Sequence, residues 1–431
     1  MRGLLTALTF ITSTWIFAQI LALISFSPPF SQTALLRIPL IQLITYESLF
    51  YHALAVSFVA VLVYVSIDIL NLTGRAADYA IINATIGYVS ASAGAWTIIM
   101  LRWNPIAHAV LYFGLSLSFL AGASLLLAIS RYNVRAESIY AMKKERAIKI
   151  GIWLAIFFVL STSLIGFYAS TGSSQWGALE ELERFRIIVA AHRHAIVTVV
   201  AAAVVFLASK HFNIQSFKGT RGLFGDIGLY MVALSIPAVS ISTYATIPLG
   251  VAAHNVITPS GAIILQGSLF IMYAVMADIA LENSHAHPIK NLFKDPASFG
   301  LLFTFFWVNI AVTLPGIYVA LHLDKFVGLK NEIPFILGHE HALATLTAVA
   351  LFLLALLRIN NIGHSIKIVG SLMTAGYILL TGATVFYIFL DPEPHSSFAM
   401  PYIQLGIFLM LIGFLTGLIM MFYQLIQSRR W

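Results

Sequence analysis

No cysteine occurs among the 431 residues, which excludes disulfides, thiolate-held iron-sulfur clusters and covalently attached c-type haem. Any metal or cofactor in this chain is therefore held by histidine or carboxylate. Charge is scarce too: 10% of the residues are charged, against roughly 25% in soluble domains. Low-complexity tracts and a polar domain are also missing. The sequence is instead 60% hydrophobic, with a mean hydropathy of +0.91. Apolar stretches of about 20 residues, the length a helix needs to cross a bilayer, recur from end to end. The expectation is an all-α integral membrane protein, a single polytopic domain over 1–431, with about twelve transmembrane helices. The formal net charge of +7 follows membrane topology and implies no nucleic-acid partner.

The expected spans lie near 4–27, 47–71, 79–100, 106–130, 148–170, 187–209, 222–248, 260–283, 297–322, 335–357, 366–391 and 401–426. The opening apolar run continues to Phe26 without a convincing cleavage site, so it reads as span one and not as a signal peptide. Lysine and arginine sort the connections. If the N-terminus is cytoplasmic, Arg37, Arg102, Arg184, Arg186, Lys325 and Lys330 fall outside, Arg193 lies within span six, and all the others fall inside. That asymmetry places both termini in the cytoplasm, in a cell (plasma) membrane.

The histidines are layered. The step His-x-His-Ala occurs twice, as His192-Arg193-His194-Ala195 and His339-Glu340-His341-Ala342. Residues two apart on a helix are separated by about 200°, so each motif sends its imidazoles to opposite sides of one helix and can serve two metal centres. This pairing points to haem. On the topology above, His52, His108, His192, His194, His339 and His341 sit at the outer ends of even-numbered spans, and His254 lies in the outer connection before span eight. Histidine within a span is costly unless paired or ligated, which makes the outer layer the place for chemistry. His211, His285, His287 and His364 fall at inner connections, and His322 and His395 at outer ones, where solvated or interfacial roles suffice.

With these residues in place, the chain resembles subunit I of the haem-copper oxidase superfamily, the nitric oxide reductase branch included. The segment GHEHALATLTAVALF, Gly338 to Phe352, looks like that family's tenth span. The resemblance implies that His339 holds a high-spin haem and His341 a low-spin haem. In YHALAVSFV, His52 stands where the family's second span supplies the other low-spin ligand. In VAAHNVITPSG, His254 stands at the place of a His-His pair for a second metal, with Asn255 in the second position. His192 and His194 in AAHRHAIVTVV occupy the sixth-span place for a further ligand to that metal, copper or non-haem iron. Spans two, six and ten are each separated by four spans, matching the family's three pseudo-symmetric four-helix arcs.

The departures are specific. No tyrosine occurs on span six, and the glutamate that nitric oxide reductases place one turn after the histidine is missing. His108, in IAHAVLYF, breaks the threefold rhythm; it reads as an interfacial histidine or as a quinone or propionate contact. Arg193 and Glu340 could pair with each other; Arg193 could equally bind a haem propionate or snorkel to the headgroups. Asp226 and Asp278 lie at inner span ends, where a proton route could begin, yet span eight offers Gln266, Ser268 and Tyr273 without a lysine. Pro237 and Pro315 are expected to kink spans seven and nine. Trp103, Trp176, Trp307 and Trp431 read as interfacial belt or packing. The basic inner loop 131–149 is expected on the membrane surface or against a partner, and the outer connections 28–46, 171–186 and 323–334 where an electron donor could dock. The stretch WGALEELERF in the second of these reads as an amphipathic cap or a simple surface helix.

Three readings stay open. In one, electrons from quinol or from an external cytochrome, cupredoxin or Rieske-type donor enter the His52/His341 haem. They pass to a five-coordinate haem on His339, which reduces O2 or NO beside a second metal near His254 and span six. In another, His339 and one histidine of span six close both axial positions of the second haem. That leaves two b-type haems and an electron-transfer subunit within a larger respiratory complex. In the third, the chain is a haem-free transporter whose histidines handle protons or a transition metal.

Overall fold

The computed structural model describes residues 12, 13, 15, 40–101, 104–134, 138–172, 179–281, 288–322, 332–359, 365–390 and 398–427. These residues are helical and contain no strand. The helices are α1 (Leu40–Ile69), α2 (Arg75–Leu101), α3 (Pro105–Ser130), α4 (Ile139–Gly172), α5 (Leu179–His211), α6 (Gly219–Leu249), α7 (Val251–Leu281), the short α8 (Pro288–Leu292), α9 (Pro296–Val308), α10 (Leu314–Leu321), α11 (Glu332–Leu357), α12 (Ser365–Leu390) and α13 (Met400–Gln427). Among the described residues, nine helical stretches are long and apolar enough to cross a bilayer, and α11 adds a shorter apolar stretch over His341–Leu357. Many large apolar side chains face outward, Ile106 75% and Leu234 74% exposed among them, as helices solvated by lipid require. The chain is a multi-pass, all-α membrane protein. Span one lies outside the described residues apart from Thr12, Ser13 and Trp15, as do His285, His287, His364, His395, Trp103, Trp176 and Trp431.

Two compact units divide the chain: Met1–Tyr132, Leu351–Leu380 and Pro401–Trp431 form the first, and Asn133–Ala350 with Thr381–Met400 the second. In the first unit, α2 and α3 approach so closely that a Cβ on Gly114 would stand 2.1 Å from the Ala91 nitrogen, and one on Gly94 2.5 Å from that of Leu111. Small residues let apolar helices pack backbone to backbone where the hydrophobic effect contributes little. Helix α2 lies at the expected third span. The unit's core joins Trp15, Phe58, Phe352 and Phe414, with ring centroids 4.8 Å apart for Phe352 and Phe414 and 5.5 Å for Trp15 and Phe414. Trp15 donates its indole N–H to Ser57 Oγ at 2.7 Å, and Arg358 Nε meets Asp68 Oδ2 at 2.6 Å.

The second unit carries the histidine motif pair. Its helices overrun the expected spans, because hydropathy marks only the membrane-crossing part. α4 begins at Ile139, so half of the expected loop 131–149 is helix; Lys143, Lys144, Glu145 and Arg146 are good helix formers. α5 begins at Leu179, inside the acidic WGALEELERF stretch, where glutamates near a helix N-terminus complement its dipole. The connection expected around His254 contracts to Gly250, whose φ of +55° suits glycine and lets α7 start at the next residue. His254 therefore lies in the first turn of a helix and not in a loop.

Helix α9 runs into a π-helical turn over Asn309–Thr313 and then into α10. Pro315 is the cause: it removes an N–H and its ring crowds the preceding turn, which the wider π geometry accommodates. Asn309 bridges the irregularity, donating its side-chain amide at 2.9 Å to the carbonyls of both Leu265 and Phe305. Trp307 is a packing residue, its indole N–H donating to Thr381 Oγ1 at 2.8 Å.

Candidate functional site

Rotation of α5 decides what each histidine of its motif can do. His192 turns to α4: its Nδ1–H donates to the Thr162 carbonyl at 2.9 Å. Its Nε2 lies only 2.7 Å from the point a Cβ on Gly166 would occupy. The ring is thus wedged against the α4 backbone, and Gly166 is what makes room for it.

His194, two residues on, turns the other way and meets His339 of α11. The ring centroids are 5.6 Å apart with an interplanar angle of 43°. His194 Nδ1–H donates to the Ala190 carbonyl one turn back, at 3.1 Å. That bond fixes the tautomer and leaves Nε2 with its lone pair, as in metal-ligating histidines, whose second nitrogen is almost always held by a carbonyl, carboxylate or water. His339 is seated against α10, where a Cβ on Gly316 would lie 2.9 Å from its Cε1 and 3.4 Å from its Nε2. The π turn and Pro315 immediately precede that glycine. Ala191 and Ala195 are fully buried on α5, and on the α4 side, which His192 faces, Ile165 and Ile188 pack with Val189, Tyr244 and Ile247.

A metal ion held by two imidazoles at ~2 Å each sets the ring centres roughly 6 Å apart, so the observed 5.6 Å has room for one ion between the rings and none for two. The donor set, two imidazoles on facing helices, suits a haem iron. Among the described residues no group of three or more histidine, cysteine or carboxylate side chains comes together. Of the three-histidine arrangement of His254, His192 and His194, His192 faces α4, and the His254 side chain lies outside the described residues, as does that of Glu340.

The other expected residues are distributed over both units. His52 is half-buried on α1 of the first unit, and His341 is exposed on α11 in the second. His108 lies beside Tyr112 on α3, ring centroids 5.5 Å apart. Arg193 is half-buried between the two motif histidines. Asp226 and Asp278 each face a cation, Lys144 at 3.4 Å and Arg221 respectively, which makes them ion-pair partners in the fold. Gly166, Gly316 and Thr162 escape sequence reasoning, because nothing in their local pattern announces a ring from another helix. Comparison of the chain with protein-family models, curated proteins and solved structures finds no match.

Proposed function

We propose that this protein is a haem-binding electron-transfer subunit of a respiratory membrane complex, in which His194 and His339 would hold one b-type haem. The observation that carries the reading is the 5.6 Å separation of these imidazoles, which favours a closed centre over one that keeps an open iron beside a second metal. A haem so held supplies one-electron oxidation and reduction without a vacant coordination position. The chain's part is to hold two neutral imidazoles. Ala190 fixes the tautomer of His194, and Gly316 seats His339.

A companion haem on His52 and His341 and the three arcs rest on the sequence resemblance alone, the twelve spans on hydropathy, and the plasma-membrane location and outward-facing histidine layer on the lysine and arginine distribution. Quinol or an external cytochrome, cupredoxin or Rieske-type protein is the donor this reading requires.

The test is the spectrum of purified, dithionite-reduced protein before and after carbon monoxide, with haem counted per chain. The wild type should bind haem and show no carbon monoxide shift. His194→Ala and His339→Ala should each open the iron and create one, or lose that haem, while His192→Ala should behave as wild type. A carbon monoxide shift in the wild type would restore the terminal-reductase reading, in which His339 alone holds an iron that reduces O2 or NO. Absence of haem would overturn both.

A further inference from the structure

At the opposite end of the second unit, a groove of about 620 Å³ runs along α6, walled by Leu223, Ile227, Tyr230, Leu234 and, from α7, Ile263. These α6 positions follow a helical stripe, so the groove extends about 17 Å along the axis at 1.5 Å per residue. It is mostly apolar, with Asp226, Tyr230 and Ser235 as its polar lining. Toward Asp226 it adjoins a smaller cavity of about 80 Å³ lined by Tyr140, Lys143, Lys144, Asp226 and Tyr230, and Asp226 and Tyr230 wall both.

The polar end has a definite electrostatic sense. Asp226 is already engaged: Tyr140 Oη–H donates to its Oδ2 at 2.8 Å, and the buried Lys144 Nζ stands 3.4 Å from its Oδ1 while donating to the carbonyls of Phe217 and Gly222. Lys143 is exposed at the mouth, and Arg146, Lys149 and Lys218 lie on the same side by the lysine and arginine rule. The charge left for a ligand is positive, with the Tyr230 hydroxyl as an added donor.

We propose that this groove is a binding site for one anionic phospholipid of the cytoplasmic leaflet, its phosphate at Lys143 and Tyr230 and one acyl chain along Met231, Leu234 and Ile263. Basic pockets between transmembrane helices on the cytoplasmic side are suited to such headgroups. A neutral carrier such as a quinone would gain little from an exposed lysine beside a carboxylate that is already paired.

The full chain, purified in detergent and delipidated, is titrated with phosphatidylglycerol or phosphatidylcholine and followed by native mass spectrometry and thermal unfolding. Phosphatidylglycerol should be retained and should raise the melting temperature more than phosphatidylcholine does. Lys143→Glu, which replaces an attraction by a repulsion, should weaken retention by roughly ten-fold or more. Leu234→Trp, at a position 74% exposed, should obstruct the groove without disturbing the core and give the same loss. Equal retention of the two lipids, or retention unaffected by both variants, would reduce the groove to ordinary lipid contact and overturn the proposal. So would displacement of the lipid by inorganic phosphate alone, or a quinone in place of phospholipid in the spectrum. Haem content read on the same samples keeps this outcome separate from the haem reading.

Discussion

Gly316 bears on the histidine pair through what it leaves out. An added methyl would stand 2.9 Å from Cε1 of His339, closer than carbon atoms tolerate, and the ring is the end of a side chain that can rotate away. Gly→Ala gains about 1 kcal/mol in helix propensity, while overpacking costs about 1–3 kcal/mol, so the fold should survive. Gly316→Ala should therefore change protein stability little and lower haem retention strongly. Gly261→Ala, where the new Cβ would find Thr198 at an ordinary 3.6 Å, should do neither. Thermal unfolding of the haem-free protein and haem per chain would check both, and full haem retention in Gly316→Ala would remove His339 from the ligand set. The opposition of His192 and His194 was legible from their spacing. Which of the two would face α11 was not, since Thr162 and Gly166 of another helix set that rotation.

Among the elements, α4 shows why membrane-crossing length is a poor guide to helix length. Hydropathy locates the apolar part and stops where Lys143, Lys144 and Glu145 begin, yet the helix continues, because Lys144 and Glu145 have partners on other helices and Lys143 is exposed. Lys144 and Glu145 are 3% and 2% exposed; Glu145 Oε1 meets Lys210 Nζ of α5 at 2.7 Å, and Lys144 serves Asp226 of α6. No periodicity within one segment reveals a partner 82 residues away on another helix, so the inner carboxylates read from sequence as free proton groups. Their cost when broken depends on burial. Lys144→Met removes the cation from a buried pair and should destabilise by about 3–5 kcal/mol. Adding Asp226→Leu to it should recover most of the loss, because a buried pair replaced by apolar groups is often neutral. Arg221→Gln breaks a pair whose side chains are 38% and 40% exposed and should cost no more than about 1 kcal/mol. Thermal unfolding in one detergent ranks the three, and equal losses for Lys144→Met and Arg221→Gln would contradict the burial argument.

For the molecule as a whole, everything proposed about donors and leaflets depends on which face is which. The histidine motif and the phospholipid groove lie toward opposite ends of the long helices of the second unit: His192 and His194 stand in the first half of α5, and Lys144 and Asp226 in the first turns of α4 and α6, which run the other way. In the orientation proposed from the excess of lysine and arginine, the histidine end is the outer one. The absence of cysteine makes this directly measurable, since any thiol introduced is the sole reactive one. Ser173→Cys in the outer connection should react with a membrane-impermeant maleimide on intact cells. Glu137→Cys in the basic connection before α4 should react only after permeabilisation. The reverse pattern would turn the histidine layer to the cytoplasm and require a cytoplasmic electron donor in place of an external one. It would also expose the groove to the outer leaflet, so a single labelling experiment decides the geometry on which both the donor side and the lipid side depend.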